Sequence, residues 1–168
     1  QFTKTGDLVD YHNDGRVTLI GGFAQLEYKM EKISAFVNVS ASNTGYQRID
    51  YFNFLDSDPE QTTEVQSFLG YTAKGGLNFN IDNNNNIFAN VGYFSKAPIF
   101  DNVFDFANNV FDDAENETIL GLELGYGFAT PVFAFNINGF YTDWSNRAIS
   151  TSYAYIDSSG NITDYQAN

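Results

Sequence analysis

Alternation of apolar and polar side chains is the feature of this sequence that most limits its fold. Two segments, 86–97 and 117–128, show it most clearly, and a polar, acidic segment separates them. Their alternating apolar positions are Ile87, Ala89, Val91 and Tyr93 in the first and Leu120, Leu122, Leu124, Tyr126 and Phe128 in the second. A period of two is typical of β-strands. Two such strands, joined by a long loop at one end and bounded by short turns at the other, are typical of an outer-membrane β-barrel.

The same period predicts six strands. They lie at about residues 17–28, 33–43, 71–81, 87–97, 117–128 and 132–144. Short turns are predicted at 29–32, 82–86 and 129–131. The signal at 82–86 is the clearest, because consecutive Asn and Asp residues tolerate left-handed backbone and cap their own chain. Each strand has about ten membrane-crossing residues, the length that a tilted transmembrane strand needs. The predicted fold is therefore all-β, a segment of a transmembrane antiparallel β-barrel.

The remaining segments are predicted as loops. Residues 1–16 carry a turn signal at 13–15, and residues 145–168 are rich in Ser, Tyr and Asn. The segment 44–69 begins with a strand-like stretch, 46–54, that extends the preceding strand, and 60–67 is a candidate helical turn. We expect the long loops to lie on one side of the membrane.

Six strands are too few for a closed barrel, since about eight is the minimum for a single bacterial chain. An open edge in lipid would leave unpaired backbone groups that cost several kcal/mol each. We therefore interpret residues 1–168 as a partial barrel domain, completed by further sequence or by other subunits. Further sequence is the favoured alternative, because both ends of the chain fall in predicted loops.

The composition excludes several classes of protein. Hydrophobic residues make up 43% of the chain, yet no run of eighteen apolar residues exists and Cys is absent, so a helical membrane protein and a disulfide scaffold are excluded. The net charge is −13, and 16 of the 21 acidic residues lie in the predicted long loops and chain ends or directly beside them. Such an acidic rim repels phosphates, so a nucleic-acid partner is not expected.

Several motifs, taken in order, resemble the later barrel strands of TonB-dependent outer-membrane receptors, especially those of Bacteroidetes. They are GYTAKGGLNFN (70–80), the Asn-rich turn, NIFANVGYFSKAP (86–98) and ETILGLELGY (117–126), with FAQLEY (23–28) and NTGYQ (43–47) resembling earlier strands. In that family an aromatic strand ends in a basic residue followed by Ala-Pro, as Lys96-Ala97-Pro98 does here. The next strand carries a Glu-Leu-Gly-Tyr signature, as 123–126 does. The resemblance covers nearly the whole chain.

The resemblance implies a barrel of 22 strands around a plug domain, which these residues do not include. It also implies location in the cell outer membrane, contact with lipid, and import of a scarce or bulky nutrient such as a chelated metal, a glycan or a peptide. Import would be driven by the TonB energy-transducing complex, and a surface lipoprotein is a further partner that the resemblance allows. No enzymatic activity and no cofactor are expected.

Residues that could carry chemistry have simpler interpretations. His12 is the only histidine, so a catalytic triad based on histidine and a multi-histidine zinc site are excluded. Asp112, Asp113, Glu115 and Glu117 could bind Ca²⁺, but they lack EF-hand spacing and are interpreted as a solvated loop. No catalytic, cofactor-binding or metal-binding residue is assigned, and the ligand-binding residues are unknown.

Four charged residues are predicted to lie on the inward sides of strands, where they would line a watery lumen or bond to a plug. They are Glu27, Lys74, Lys96 and Glu123. A pair of carboxylates could serve glycoside hydrolysis, but the sequence does not fix their separation, and the structural interpretation is favoured.

The tyrosines are predicted in two groups. Those expected near strand ends, at the depth of the lipid headgroups, are Tyr28, Tyr71, Tyr93, Tyr126 and Tyr141. Those expected in the last loop, where they could stack on a ligand or simply pack within the loop, are Tyr153, Tyr155 and Tyr165.

Two other functions remain open at this point. A structural or anchoring barrel subunit that does not import would lack a plug and the partner-binding segment of a receptor. A soluble β-sandwich that binds carbohydrate would need both faces of its sheet covered by protein or water.

Overall fold

The computed structural model describes residue 4, residues 12–147 and the segments 151–156 and 162–167. This part of the chain is all-β, with eight strands. They are β1 (Asn13–Lys29), β2 (Ile33–Asp50), β3 (Gln66–Asn80), β4 (Asn85–Lys96), β5 (Glu117–Ala129), β6 (Ala134–Ser145), β7 (Thr151–Ile156) and β8 (Ile162–Ala167). The first six form one sheet in chain order, with every neighbouring pair antiparallel. This sheet is not closed into a barrel, because β1 and β6 are its two edges.

Helical structure is almost absent from the described residues. It consists of two 3-10 turns, Pro59–Gln61 and Phe100–Asn102. The first overlaps the start of the segment 60–67 that was predicted to form a helical turn, and its proline occupies an early helical position, where the missing N–H costs nothing. Each turn lies in one of the two long loops.

The three short turns lie at one end of the sheet, as predicted. The turn between β3 and β4 is held by Asp82, whose Oδ1 accepts hydrogen bonds from the N–H groups of Asn84 (2.8 Å) and Asn85 (2.9 Å). The Asn84 N–H, and after it the Asn85 side-chain amide, hold the pKa of Asp82 below its usual value. The carboxylate side chain therefore does the capping that the sequence predicted.

The loop end of the sheet is longer than predicted. The prediction that residues up to 16 form a loop with a turn at 13–15 is wrong for 13–16, since β1 begins at Asn13, opposite Asp50. The predicted extension of β2 is confirmed as far as Asp50. β3 begins at Gln66 instead of residue 71, because it pairs with this extension of β2. Residues 1–3 and 5–11 lie outside the described part, so their assignment to a loop stays a prediction.

The predicted loop at 145–168 is wrong in part, because it contains β7 and β8. These strands form a separate two-stranded sheet in which Tyr153 lies opposite Tyr165 and Tyr155 opposite Thr163. The three tyrosines assigned to a loop are therefore strand residues. The sequence gives only a weak signal for these two six-residue strands, because neither side of them is clearly apolar.

Candidate functional site

One face of the six-stranded sheet, the apolar face, is apolar from edge to edge. The strand register brings together on it the apolar positions that the sequence predicts. It consists of Ile20, Ala24, Leu26, Tyr28, Ile33, Ala35, Val37, Val39, Ala41, Tyr71, Ala73, Leu77, Phe79, Ile87, Ala89, Val91, Tyr93, Leu120, Leu122, Leu124, Tyr126, Phe128, Phe135, Ile137 and Tyr141, with Gly22, Gly75 and Gly139 between them. None of these side chains is charged, although Asp143, opposite Leu120, is a charged residue on the same side of β6 at the loop end of this face.

The apolar face is exposed. Val37, Leu124 and Ile137 expose 55%, 67% and 66% of their surface. Soluble monomers rarely expose an apolar patch larger than a few hundred Å², so this face needs a cover of lipid or protein. The nine residues from 120 to 128 extend about 27 Å along the strand at roughly 3.4 Å per residue. About nine to eleven residues is the length that a tilted strand needs to cross the hydrocarbon core.

Aromatic rings lie towards both ends of the apolar face. Near the loop end, Tyr71 and Tyr93 stack with ring centroids 6.0 Å apart. Near the turn end, the ring centroid of Phe135 lies 6.1 Å from that of Tyr126 and 5.6 Å from that of Phe128. Amphipathic rings favour the depth of the headgroups, so this placement agrees with two interfacial belts. Tyr141 lies further inside its strand than predicted, since it pairs with Leu122 and Leu122 pairs with Val91.

The opposite face of the sheet, the polar face, carries the four predicted inward charges: Glu27, Lys74, Lys96 and Glu123. Its amides bond along and across the strands. Glu123 accepts hydrogen bonds from Asn90 (2.9 Å) and Asn138 (2.5 Å). Because Glu27 is on β1 and Glu123 on β5, the two carboxylates do not face each other as a catalytic pair would.

Two phenylalanines of the polar face lie over glycines of a neighbouring strand. Phe36 is directly opposite Gly76, and Phe88 is opposite Gly125. A methyl group added to Gly125 would lie 2.2 Å from Phe88 Cζ, and one added to Gly76 would lie 2.4 Å from Phe36 Cε1. The rings therefore lie flat on the sheet, where they cover backbone and leave the space above it free. This pairing explains why Phe36 interrupts an otherwise polar side of β2.

The two long loops pack together over the polar face at the loop end of β1–β3, and we call residues 51–65 and 97–116 the loop cap. Its small core contains Tyr46, Val103 and Phe104, with Phe68 and Phe100 packed against them. Val103 is fully buried. The sequence shows no period in these loops, so this core could not be predicted.

Side-chain bonds join the loop cap to β2 and join its two loops to each other. Arg48 donates a hydrogen bond to the Asp105 carbonyl, and its guanidinium lies 3.4 Å from Asp50 Oδ2. Asn108 Nδ2 donates to the carbonyl of Glu60 at 2.9 Å and also to that of Gln61.

Asp50 is the buried carboxylate of this arrangement, with 1% of its surface exposed. Burial alone would raise the pKa of Asp50. The Asn53 N–H and side-chain amide, the Phe52 N–H and the Arg48 guanidinium outweigh burial and leave that pKa below its usual value. The ionised form of Asp50 is therefore the form that the loop cap stabilises.

The structure does not bring the four candidate calcium ligands together. Glu117 is the first residue of β5, its side chain is 5% exposed, and its Oε2 lies 2.7 Å from Lys96 Nζ. Asp112 and Asp113 are exposed in the loop cap. Within the described residues, no group of three or more His, Cys, Asp or Glu side chains could hold a metal ion. His12 lies beside the Tyr51 ring, with centroids 5.0 Å apart.

A cluster that the sequence analysis missed lies on the polar face at the loop end of β4–β6. Lys96 Nζ is 5.5 Å and Arg147 Cζ 4.8 Å from the centroid of the Trp144 ring. These distances are within the range of cation–π contacts. The available signal was the single tryptophan of the chain, three residues before an arginine.

Comparisons with family models, with curated proteins and with solved structures found no match to this chain. In the part of the chain that is described, no helix has the length and apolar character needed to cross a membrane.

Proposed function

We propose that this chain forms part of the wall of an outer-membrane β-barrel, and that the barrel is a TonB-dependent receptor that imports a scarce or bulky nutrient. The apolar face carries the proposal: an exposed apolar surface, with Asp143 at its loop end, crosses all six strands. Contact of this apolar surface with lipid costs no free energy, whereas its contact with water is unfavourable. The polar face would then line a lumen.

The open edges of the sheet support the proposal that these six strands belong to a larger barrel. β1 and β6 each have one side without a neighbouring strand in the described residues. Unpaired N–H and C=O groups are costly in hydrocarbon, so additional strands would have to pair with both edges. The flat rings over Gly76 and Gly125 support a lumen that is kept open for a plug or a ligand.

Membrane location is tested by fractionating cells that express the protein. We expect it in the outer-membrane fraction, extracted only by detergent, with different gel migration before and after boiling. Release into the soluble fraction without detergent, with no change of migration on boiling, would contradict the proposal and favour the carbohydrate-binding β-sandwich.

The packed loop cap supports a second candidate function, a barrel that anchors a partner at the cell surface. A surface that is already ordered can bind a protein without a large entropic cost. The two functions differ in energetics. Import should stop when the energy-transducing complex is deleted or a proton uncoupler is added, whereas retention of a surface partner should not change.

A further inference from the structure

The loop end of the polar face has a filled half and an open half. Over β1–β3 the loop cap fills it, and Tyr46 retains only 9% exposure. Over β4–β6 the rings remain accessible, since Trp144 is 44% and Phe140 81% exposed. Both are on the polar face, opposite Ile119 and Glu123 respectively.

Positive charge collects in this open half. Lys96 and Arg147 both lie over the Trp144 ring. Lys96 is neutralised by the buried Glu117, whereas Arg147 forms no ion pair with any described residue. Arg147 is therefore the cation at this ring that could pair with an anion.

A groove of about 390 Å³ lies on the polar face next to this cluster, since it is lined by Thr142, two residues before Trp144, and by Phe94, in the same cross-strand row as Trp144. Its lining includes Lys74, Phe94, Gly121, Glu123 and Phe140. Glu123 is already bonded to two amides, whereas Lys74 has no hydrogen bond or ion pair among the described residues. A methyl group added to Gly121 would meet no atom closer than 3.9 Å, so the floor of the groove is open. The volume is in the range of small-molecule sites.

We propose that this open half binds a small molecule that contains a ring and a carboxylate. The ring would stack on the exposed aromatic side chains, and the carboxylate would pair with Arg147 or Lys74, two cations of this half that have no carboxylate partner among the described residues. The acidic loops repel such an anion elsewhere at this end of the molecule. The inference deepens the proposed function and rests on it for the view that the polar face lines a water-filled lumen.

Benzoate is the probe, and Trp144 is the reporter because it is the only tryptophan in the chain. The whole 168-residue chain is titrated in detergent micelles, or in buffer if it proves water-soluble, while Trp144 fluorescence is recorded. We expect a saturable change with benzoate and, since a charged hydrogen bond is lost, binding of neutral benzamide about tenfold weaker. Acetate, which lacks the ring, should also bind more weakly.

Two variants and one control locate the site. Whichever of Arg147→Gln and Lys74→Gln removes the paired cation should weaken benzoate binding several-fold, whereas Lys32→Gln, in a turn at the opposite end of the sheet, should leave it unchanged. Equal responses to benzoate and benzamide, no saturable response, no weakening by either Arg147→Gln or Lys74→Gln, or equal weakening by Lys32→Gln would overturn the inference. Gel migration of the same sample before and after boiling tests the membrane proposal separately, so the two failures are distinguishable.

Discussion

At the scale of single residues, glycines of the sheet fall into two kinds. At Gly125 an added methyl group would lie 2.2 Å from Phe88 Cζ, whereas at Gly139 no atom lies within 4 Å. The first glycine is required by a ring that rests on it, and the second is not. Cross-strand pairing decides the difference, and the sequence alone does not show it.

Gly125→Ala should therefore destabilise the folded sheet by about 1–3 kcal/mol, because Phe88 must leave its position. Gly139→Ala should be neutral or stabilising by up to about 1 kcal/mol, because alanine loses less backbone entropy in a strand. Guanidinium titrations of both variants in lipid vesicles measure the difference. Equal effects of the two substitutions would show that Phe88 does not rest on Gly125.

Asp50 gives the loop cap a dependence on pH. Its pKa is lower in the folded protein than in the unfolded chain, so it stabilises the folded state above the unfolded value of about 3.9. This stabilisation is lost as the pH falls through the lower, folded value. Hydrogen exchange of residues 97–116 should therefore become faster, relative to the intrinsic exchange rate, on acidification below about pH 4.

Asp50→Asn is the matched variant for this measurement. It keeps the shape of the side chain but cannot ionise, so its loop cap should be loosened already at neutral pH and should change little on acidification. An acid response in Asp50→Asn equal to that of the parent chain would assign the effect to other carboxylates.

At the scale of elements, the loop cap should loosen independently of the strands. Val103→Ala removes two methyl groups from a fully buried side chain and should cost about 2 kcal/mol. Val110, in the same loop, is 40% exposed, so Val110→Ala should cost far less. Limited proteolysis should cut residues 97–116 faster in Val103→Ala alone, with gel migration on boiling unchanged. Loss of that migration change would mean that cap and sheet unfold together.

The strands were predictable to the extent that one side of each is apolar. All six were predicted because residues such as Val37 and Leu122 alternate with polar neighbours, a pattern that a one-residue register shift would destroy. The ends were not predictable. Asn13 and Gln66 join strands because β2 extends beyond the apolar face to Asp50, where pairing and loop packing hold the backbone.

The polar face was predictable only residue by residue. Its charges, Lys74 and Glu123 among them, were assigned to the correct side from the period of the strands. The contact of Trp144 with Lys96 and Arg147 depends on the register between β4, β5 and β6 and on the position of a residue beyond the end of β6. No pattern within one strand contains that information.

At the scale of the whole molecule, the two faces and two ends of the sheet have different character. The apolar face is uncharged except at its loop end, where Asp143 lies, the polar face carries amides and a few charges, and the loop end carries most of the acidic residues. In a membrane this arrangement would place the acidic loops together on one side. The apolar face is the part of this account on which the barrel, the lumen and the import function all depend.

Leu124→Arg tests most directly whether lipid covers the apolar face. Leu124 is near the middle of the apolar face and 67% exposed, and Thr142→Arg on the polar face is the control. Unfolding is measured by guanidinium titration in lipid vesicles. If lipid covers the apolar face, Leu124→Arg should cost about 2–4 kcal/mol more than Thr142→Arg, because a charge would lie near the bilayer midplane. If the face meets water, both substitutions should stay within about 0.5 kcal/mol of the parent chain, and the membrane account would be contradicted.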